Sequence, residues 1–570
     1  MTRPFLAAAA QFEVGSNQEL NLEKTLHFIK TASESGAELL VLPEFLNHCS
    51  WYDSQEHCFE VSLDIDSRFI THVKEHAKQL GLHVVANVTL RRDNGKITGT
   101  SLLISSTGDI LSTTDKQVLI GHENDYLIAS AKPSKVVNTQ IGKIGTYACM
   151  DGVIFETPRM LALAGAQVLC NSLNSFARCE GDLHIPVRAA ENKVFVVAAN
   201  KVGPLIPLEM LGMVAEQINI PKEGLYGAGD SQIVHPNGDI LKKADNKEEC
   251  VISVLIDPKE AIGKERPDGT TIFKHRRPEL YKPLAGAPKE APAATNQPAA
   301  EVRVAIMQPI HKNYMAIDEV TNTIKEGGKY SILTLPALFC FDAENYQDPI
   351  EAKTISSTAI DMITKALQEA NSDALVATSL IMETARGHQH CGVTINHTGI
   401  IHRQPQLHVP PAPKPALQPG LDLKVIDTQW GRMAMIVGRD SLYPESFRLA
   451  AIKGAHFVLT PFDLQESWEV NYGLAERAAE NRICIVAATQ ESSIGASIFA
   501  TLHDDYTIMT PWKERKFDGN ISYPIITRTP KKPGLFESKI HPQRSTNKIL
   551  SHRTNIVNSR PWHVMEELFT

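Results

Sequence analysis

Cysteine is scarce in this sequence, with nine residues among 570, and no two of them form a Cys-x-x-Cys pair. So few cysteines, odd in number, do not make a disulfide framework and are typical of a reducing compartment. No run of 18 apolar residues occurs, which argues against a membrane-spanning helix. The apolar stretch 5–10 is short and ends at Gln11, so it resembles a buried strand more than a signal peptide. We therefore expect a cytoplasmic protein without a membrane partner.

A strong net charge is also missing. The chain carries 57 lysines and arginines against 65 aspartates and glutamates, which gives a formal net charge of −8. A mildly acidic surface argues against nucleic acid as the main partner, because nucleic acids attract basic proteins. Apolar residues make up 43% and charged residues 21% of the chain, as in globular proteins. The length favours roughly two to four folded domains.

A stretch rich in alanine and proline interrupts the chain near its midpoint, over residues 284–300. It has no apolar periodicity and cannot bury a face against a core, so it predicts an extended linker. The linker separates residues 1–283 from residues 301–570, which are the two domains that we predict.

The two halves repeat each other. The motif Arg-Ala-Ala-Glu-Asn occurs at 188–192 and again at 477–481, and each copy precedes an apolar run. At the same spacing, a pattern of Gln-x-Gly, Asp, Glu, Arg and Gly-Ala that begins at Gln140 recurs from Gln429. One spacing held over so many residues indicates a tandem duplication.

Short apolar runs alternate with helical patterns in the first half. Candidate strands lie at 6–10, 39–42, 82–90, 101–104, 144–148 and 168–170. The run 39–42 has no polar alternation and is expected to be buried on both faces. A helical pattern is expected to begin at a cap on Asn21 and to end at Gly36. This alternation predicts an α/β domain, in which chemistry gathers at the carboxyl ends of the strands.

Cys149 directly follows the predicted strand 144–148, and Thr157 is expected to cap the next helix with Pro158 at its first position. A thiol at such a strand–turn–helix junction can be a nucleophile. Backbone N–H groups beyond the turn, starting with that of Met150, could face a developing oxyanion. The alternative is a buried structural cysteine, the commoner role of a free cysteine.

Three further side chains are candidates for catalysis. Glu44 follows the apolar run 39–42, where a carboxylate is costly to bury unless it has a purpose such as general-base catalysis. Lys116 lies after a predicted turn, and Glu123 comes shortly after it. Taken singly, an exposed loop acid, a surface lysine and a surface glutamate are the simpler interpretations.

The order of these residues resembles the nitrilase superfamily, the carbon–nitrogen hydrolases. The resemblance covers residues 1–283 and, in weaker form, 301–570. The motifs that carry it are Pro43-Glu44-Phe45, Lys116, Glu123, Cys149-Met150-Asp151, Arg188-Ala189-Ala190-Glu191-Asn192, Gly229-Asp230-Ser231 and Arg276-Arg277-Pro278. It implies an αββα sandwich for each half, with two such sandwiches packed face to face.

The resemblance also implies a mechanism. Glu44 takes the proton of Cys149, and the thiolate attacks an amide carbonyl. Lys116 and the N–H of Met150 hold the oxyanion, while Glu123 orients Lys116 or the substrate amide. Glu44 then protonates the leaving amine and activates the water that hydrolyses the thioester. This chemistry calls for no metal and no organic cofactor.

The leading hypothesis is a cysteine-dependent amidohydrolase that cleaves a small linear amide or an N-carbamoyl compound. The sequence Cys149-Met150-Asp151-Gly152 is similar to aliphatic amidases and formamidases and differs from the Cys-Trp-Glu of nitrile-cleaving members, which favours amides. The alternatives are a nitrilase that forms an acid and ammonia, an acyltransferase, and a non-catalytic scaffold or binding protein.

The second half lacks the four catalytic groups. Ala337 stands where the first half has Glu44, and Gly438 stands in place of Cys149. Counting from the preceding turn puts Leu407 at the position of Lys116, and a shift of one residue gives Gln406 or His408. No acidic residue occurs from 399 to 421, so Glu123 has no counterpart.

We therefore expect residues 301–570 to be a degenerate hydrolase domain. It is predicted to dock on the first half as an intrachain pseudo-dimer, with further homo-oligomerisation left open. The side chains of His388-Gln389-His390-Cys391 suit zinc, but ligands one residue apart do not make a tetrahedral site alone, so no metal site is predicted there.

Overall fold

The computed structural model describes residues 3–245, 247–291, 294–409, 416–490 and 492–569. Helices and strands alternate along the chain, as the sequence predicts. Residues 286–291 and 294–300 of the predicted linker form no helix or strand, and its residues 292 and 293 lie outside the described part. Among the described residues, no helix has both the length and the apolar character needed to cross a membrane.

The chain forms two compact units, and each unit combines more than one segment. Unit 1 comprises Met1–Lys264, Asp505–Tyr523 and Ile549–Thr570, and unit 2 comprises Glu265–Asp504 and Pro524–Lys548. The domains 1–283 and 301–570 are delimited by the sequence repeat. As the two products of a duplication, they remain a prediction. The compact units have a different membership, because two segments from the end of the chain complete unit 1.

Unit 1 contains two six-stranded sheets, ordered β12-β1-β2-β3-β4-β5 and β11-β10-β9-β8-β7-β6. Strands β1 to β3 run parallel, as do β7 to β9, and antiparallel strands flank each set. The strands are β1 (Phe5–Gln11), β2 (Leu39–Val41), β3 (His83–Arg91), β4 (Ile97–Ile104), β5 (Ile110–Asp115), β6 (Val136–Thr139), β7 (Gly142–Ala148), β8 (Val168–Ser172), β9 (Phe195–Ala199), β10 (Gln232–Val234), β11 (Ile240–Lys243) and β12 (Cys250–Ile256).

The helices of the first half are mostly short. They are α1 (Gln18–Glu34), α2 (Gln55–Val61), α3 (Arg68–Leu80), α4 (Glu123–Tyr126), α5 (Met150–Val153), α6 (Glu156–Leu163), α7 (Ile185–Asn192), α8 (Leu208–Ile218) and α9 (Pro278–Tyr281), the last of which belongs to unit 2. A π-helical turn, Glu180–His184, leads into α7.

Two apolar cores give unit 1 its layers. One core joins the outer face of the first sheet to α1 and α3, and the other lies between the two sheets. Strand β2 contributes side chains to both cores. Leu40 belongs to the outer core, and Leu39 and Val41 belong to the inner core. Burial on both faces of β2 confirms the interpretation of its apolar run, because neither face could tolerate a polar side chain.

Two predicted helix caps are wrong. Helix α1 begins one turn earlier than expected, where the Oδ1 atom of Asn17 accepts hydrogen bonds from the N–H groups of the first turn. Asn21 lies inside α1 and binds the backbone of Gly15 instead. Helix α6 starts at Glu156 without a side-chain cap, and the Thr157 hydroxyl donates to Gln117 Oε1 at 2.7 Å.

Unit 2 has the same sheet plan, with six-stranded sheets ordered β17-β16-β15-β14-β13-β24 and β18-β19-β20-β21-β22-β23. The strands are β13 (Val302–Gln308), β14 (Ile332–Ala337), β15 (Leu375–Thr384), β16 (Gly387–Asn396), β17 (Gly399–Pro405), β18 (Val425–Thr428), β19 (Gly431–Met435), β20 (Phe457–Pro461), β21 (Cys484–Ala488), β22 (Ile498–Thr501), β23 (Ile525–Arg528) and β24 (Gly534–Ile540). A small hairpin of β25 (Ile549–Ser551) and β26 (Thr554–Asn555) lies in unit 1.

The described residues of the second half form five more helices, α10 (Asn313–Glu326), α11 (Ala343–Gln347), α12 (Pro349–Glu369), α13 (Pro444–Ile452) and α14 (Leu474–Asn481). An inner core again lies between the two sheets, and an outer core joins β13 to β16 with α10 and α12. Both units are therefore α/β structures with paired sheets and helices outside, which agrees with the predicted fold class.

Candidate active site

Lys116 lies between two carboxylates. Its Nζ atom donates to Glu44 Oε1 at 2.9 Å and to Glu123 Oε1 at 2.8 Å. The second oxygen of Glu123 accepts the N–H of Ile120 at 3.0 Å, which fixes the carboxylate in its own loop. The lysine side chain is fully buried, and the glutamates are 1% and 8% exposed. Glu44, which is distant in the sequence, therefore joins Lys116 and Glu123 in one buried ionic cluster.

Strand ends position these side chains. Glu44 follows β2, and the next residue, Phe45, has a left-handed φ of 53° and donates its N–H to Asn87 Oδ1. Lys116 follows β5, and its N–H continues the pairing of β4 by donating to Gly99 O at 2.8 Å. The expectation that chemistry-bearing groups gather at strand ends fits this arrangement.

Cys149 forms the sharp turn between β7 and α5. Its φ of 48° is unusual for a residue other than glycine. The N–H of Cys149 donates to Ser172 O and to Asn171 Oδ1, both at 3.0 Å, which holds the turn against the neighbouring strand β8. Met150 begins α5. Cys149 and Met150 both line a cavity in unit 1. A strained turn at a strand end presents the thiol to that cavity.

Burial dominates the electrostatics of the cluster. It raises the pKa of Glu44, and the charge of Lys116 opposes this effect. Burial also raises the pKa of the Cys149 thiol well above its usual value, and the Glu44 charge adds to the increase. For Lys116, burial acts to lower the pKa, but the charges of Glu123 and Glu44 outweigh it and raise the pKa well above its usual value. The thiol is therefore neutral at pH 7 and needs a base beside it.

A cavity of about 350 Å³ opens onto this cluster in unit 1. Cys149, Met150 and Glu123 line it, together with residues from 174–184 and 205–225. The segments 508–522 and 550–552 complete its wall. The C-terminal part of the sequence therefore contributes directly to the pocket beside Cys149.

Sequence reasoning missed Asp151 as a site residue. Its carboxylate accepts the N–H of Gln117 at 3.0 Å and the N–H of Val118 at 2.8 Å, directly after Lys116. Burial raises the pKa of Asp151 to about 7, and Lys116 opposes this effect. The signal was in the repeat, since Asp440 in the second half accepts the N–H groups of Leu407 and His408 in the same way.

Lys201 was also missed. It follows the carboxyl end of β9 and is 1% exposed, and within the described residues its Nζ atom has no hydrogen-bond partner. Burial lowers the pKa of Lys201 to about 8, while Cys49, Glu44 and Cys149 oppose that effect. A second buried amine therefore lies near the ionic cluster.

Three exposed side chains at the cavity mouth could contact a cation. The Nδ1 atom of His122 lies 2.8 Å from one oxygen of Asp125, and the Nε2 atom of His552 lies 3.1 Å from the other. The guanidinium of Arg553 lies 3.2 Å from Asp125 and already neutralises it. In the segment 388–391, whose side chains suit zinc, both ring nitrogens of His390 bind other side chains, those of Gln406 and Ser379. Neither place is built as a metal centre.

The comparisons with known proteins relate the first part of the chain to one family. Residues 6–263 match the sequence model of the carbon–nitrogen hydrolase family. A nitrilase of Pyrococcus abyssi is 29% identical over 262 residues, which are 46% of this chain and 92% of that protein. An omega-amidase of Xenopus tropicalis is 25% identical over 289 residues, 49% of this chain and 96% of that protein.

A solved amidase from Nesterenkonia sp. is 22% identical and covers 49% of this chain and 95% of its own, with a TM-score of 0.41. The match over 6–263 assigns these residues to the carbon–nitrogen hydrolases of the nitrilase superfamily. The protein is a hydrolase of carbon–nitrogen bonds other than peptide bonds.

Proposed function

We propose that the protein is a cysteine-dependent amidohydrolase that cleaves a small linear amide or N-carbamoyl compound through a thioester. The observation that carries this proposal is the buried ionic cluster of Glu44, Lys116 and Glu123 at a cavity lined by Cys149. A binding or scaffold protein has no need to bury three charges beside a strained thiol, because burying charges is costly.

The first half-reaction follows from the charges. Glu44 accepts the thiol proton of Cys149, and the thiolate attacks the amide carbonyl carbon. The developing oxyanion is stabilised by the Lys116 ammonium and the N–H of Met150. When the carbon–nitrogen bond breaks, Glu44 returns its proton to the leaving nitrogen, and a thioester and an amine or ammonia result.

The second half-reaction uses the same groups. Glu44 accepts a proton from water, and the hydroxide attacks the thioester carbonyl. Loss of the Cys149 thiolate gives the acid, and the thiolate recovers its proton. Glu123 holds the Lys116 ammonium in place during both steps, because its other oxygen is fixed by the backbone of its own loop. An amine acceptor in place of water would give acyl transfer.

Ammonia release tests the proposal. The protein should release ammonia from short amides or carbamoyl amines, and a slow substrate should add its acyl mass to the intact chain. Cys149→Ala should abolish both signals, whereas Cys250→Ala, on the edge strand β12, should keep them. Turnover only of nitriles would favour a nitrilase, and transfer only to added amines would favour an acyltransferase. No turnover with any of these compounds would favour a scaffold.

We also propose that the second half descends from a duplication and has lost catalysis. Gln406 N donates to His390 O as Lys116 N donates to Gly99 O, so Gln406 rather than Leu407 matches the lysine. The turn at Gly438 keeps a left-handed φ of 54°, and Leu338 has the φ of 50° that matches Phe45. The second half thus retains the backbone turns of the site, although it lacks the catalytic side chains.

Among the described residues of unit 2, the region that matches the pocket of unit 1 contains a small cavity. A cavity bordered by Glu469, which matches Glu180 in the repeat, measures about 10 Å³, close to the space of a single water molecule. A Cβ atom added at Gly438 would meet His390 Cε1 at 3.1 Å and Gln406 Nε2 at 3.3 Å. These observations support a domain kept for folding. The predicted pseudo-dimer, any homo-oligomer and the cytoplasmic location remain predictions.

A further inference from the structure

The cavity beside Cys149 contains no lysine and no arginine among its described lining residues. The Lys116 ammonium is already bound by Glu44 and Glu123, and Lys201, the second buried amine near this cluster, is not among the described lining residues. Fixed acids in the wall are Glu123 and Glu180. A substrate carboxylate in this cavity would lose its hydration without a lysine or arginine partner among the described lining residues, which is unfavourable.

Large apolar side chains form most of the wall. They come from five separate stretches of unit 1 and include Trp51, Phe176, Ile206, Met509, Ile521 and Leu550. Such side chains gain free energy when an apolar group displaces water from them. The cavity volume of about 350 Å³ is in the size range of sites for small organic ligands. This volume is larger than an acetyl or formyl group would fill.

We infer that the acyl group this site accepts is uncharged, apolar and several carbons long, so that the substrate class is the amides of medium-chain or aromatic monocarboxylic acids. The inference rests on the proposed amidohydrolase function. The reactive amide lies at Cys149, Lys116 and Glu44, and the chain or ring of the acid extends along the apolar wall. Monoamides of dicarboxylic acids are disfavoured, because no lysine or arginine lines the described part of the cavity.

Among the described lining residues, Glu180 is a feature that would favour another class of substrate. It lies in the π-helical turn beside Cys179 and His184, all of which line the cavity. An acyl chain that ends in an ammonium could pair with this carboxylate. The imidazole of His184 binds the Ser522 hydroxyl at 2.8 Å, so a polar patch exists, but it is small beside the apolar wall.

Three six-carbon amides separate these classes, because they differ only at the far end of the chain. Hexanamide ends in a methyl group, adipamate in a carboxylate and 6-aminohexanamide in an ammonium. We expect kcat/KM for hexanamide to exceed that for adipamate by a factor of 100 or more, on the order of the cost of an unpaired buried charge. From acetamide to hexanamide, kcat/KM should rise roughly fourfold for each methylene.

A single added cation provides a second test. Met509, a partly exposed lining residue, can be changed to lysine, and the matched control is Met213→Lys on the exposed face of α8, outside the cavity. Met509→Lys should raise kcat/KM for adipamate at least tenfold and lower it for hexanamide, whereas Met213→Lys should change neither. No gain with adipamate in Met509→Lys would count against the charge argument.

The outcomes of the panel distinguish the two proposals. A preference for adipamate or for 6-aminohexanamide, or a flat response to chain length, would overturn the substrate class while leaving the amidohydrolase intact. Absence of ammonia release from every amide, including acetamide and phenylacetamide, and from carbamoyl amines would overturn the proposed function itself.

Discussion

The ammonium of Lys116 lies 2.9 Å from the carboxylate of Glu44, and neither side chain is more than 1% exposed. Glu123 binds the same ammonium, so two carboxylates share one cation in a buried place. The net negative charge of this trio keeps Glu44 ready to accept a proton. Lys116 is also essential to the stability of the cluster, because loss of its ammonium would leave the two carboxylates of Glu44 and Glu123 together without a cation.

We expect Lys116→Met to lower the free energy of unfolding by about 3–5 kcal/mol, the usual cost of breaking a buried ion pair. Glu44→Gln should cost less, since Lys116 keeps Glu123 as a partner. Both variants should lose at least roughly 100-fold in kcat/KM, the effect expected for a general base or an oxyanion donor. Denaturant unfolding and steady-state kinetics measure the two effects. Equal stability losses in the two variants would contradict the shared-cation arrangement.

The pH profile of kcat/KM should report the buried carboxyl. Glu44 must be ionised to take the proton of Cys149, and burial raises its pKa above the usual 4.5. Activity should therefore fall as the pH decreases through a value higher than 4.5. The raised pKa of the Cys149 thiol predicts no activation step near pH 9, where an ordinary thiol ionises. An acid limb at or below pH 4.5 would contradict this account.

Lys201 should destabilise the folded protein in a pH-dependent way. Its pKa is lowered from 10.5 to about 8, so the unfolded chain binds more protons between these values and stability rises with pH across that window. Below pH 8 the cost is fully present and amounts to about 3 kcal/mol. Lys201→Met should therefore raise the unfolding midpoint at pH 7 and give a smaller gain at pH 10. The matched change Lys96→Met, at an exposed turn, should shift neither midpoint. An identical gain at both pH values would show that the effect is packing alone.

Thr554 should position the loop that carries Glu123. Its hydroxyl oxygen accepts the N–H of Gly121 at 3.0 Å, and the side chain is fully buried. Thr554→Val leaves that N–H without its partner, which costs about 1–3 kcal/mol, and we expect kcat to fall roughly tenfold. Thr554→Ser keeps the hydroxyl and should restore kcat. If Thr554→Val lost only stability, with kcat unchanged, the positioning role would be wrong.

The second half should not regain activity from its missing groups alone. In a Cys149→Ala background, the combined changes Ala337→Glu, Gln406→Lys and Gly438→Cys should give no ammonia release. The side chains beside Gly438 leave little room for a thiol, and the neighbouring cavity of about 10 Å³ cannot admit an amide. Measurable turnover in this variant would show that the second pocket can open.

The local sequence determined much of the fold and the location of the site. The apolar run before Glu44 and the strand before Cys149 specify elements buried on both faces, and such runs can hardly form anything else in an α/β domain. The order of motifs then identified the family and pointed to Glu44, Lys116, Glu123 and Cys149. The structure joins the first three and sets Cys149 at the same cavity.

Only the tertiary structure decided what surrounds those groups. Asp151 binds the backbone N–H of Val118, just after Lys116, and these two residues are 33 positions apart in the chain. Thr554 binds the backbone N–H of Gly121, just before Glu123, across 433 positions. No local pattern encodes such pairs, because they depend on which strand ends and segments the fold brings together. The pocket wall is likewise built from segments of both halves of the sequence. The candidate catalytic groups follow from residue types at strand ends, whereas the apolar lining of the cavity follows from long-range packing.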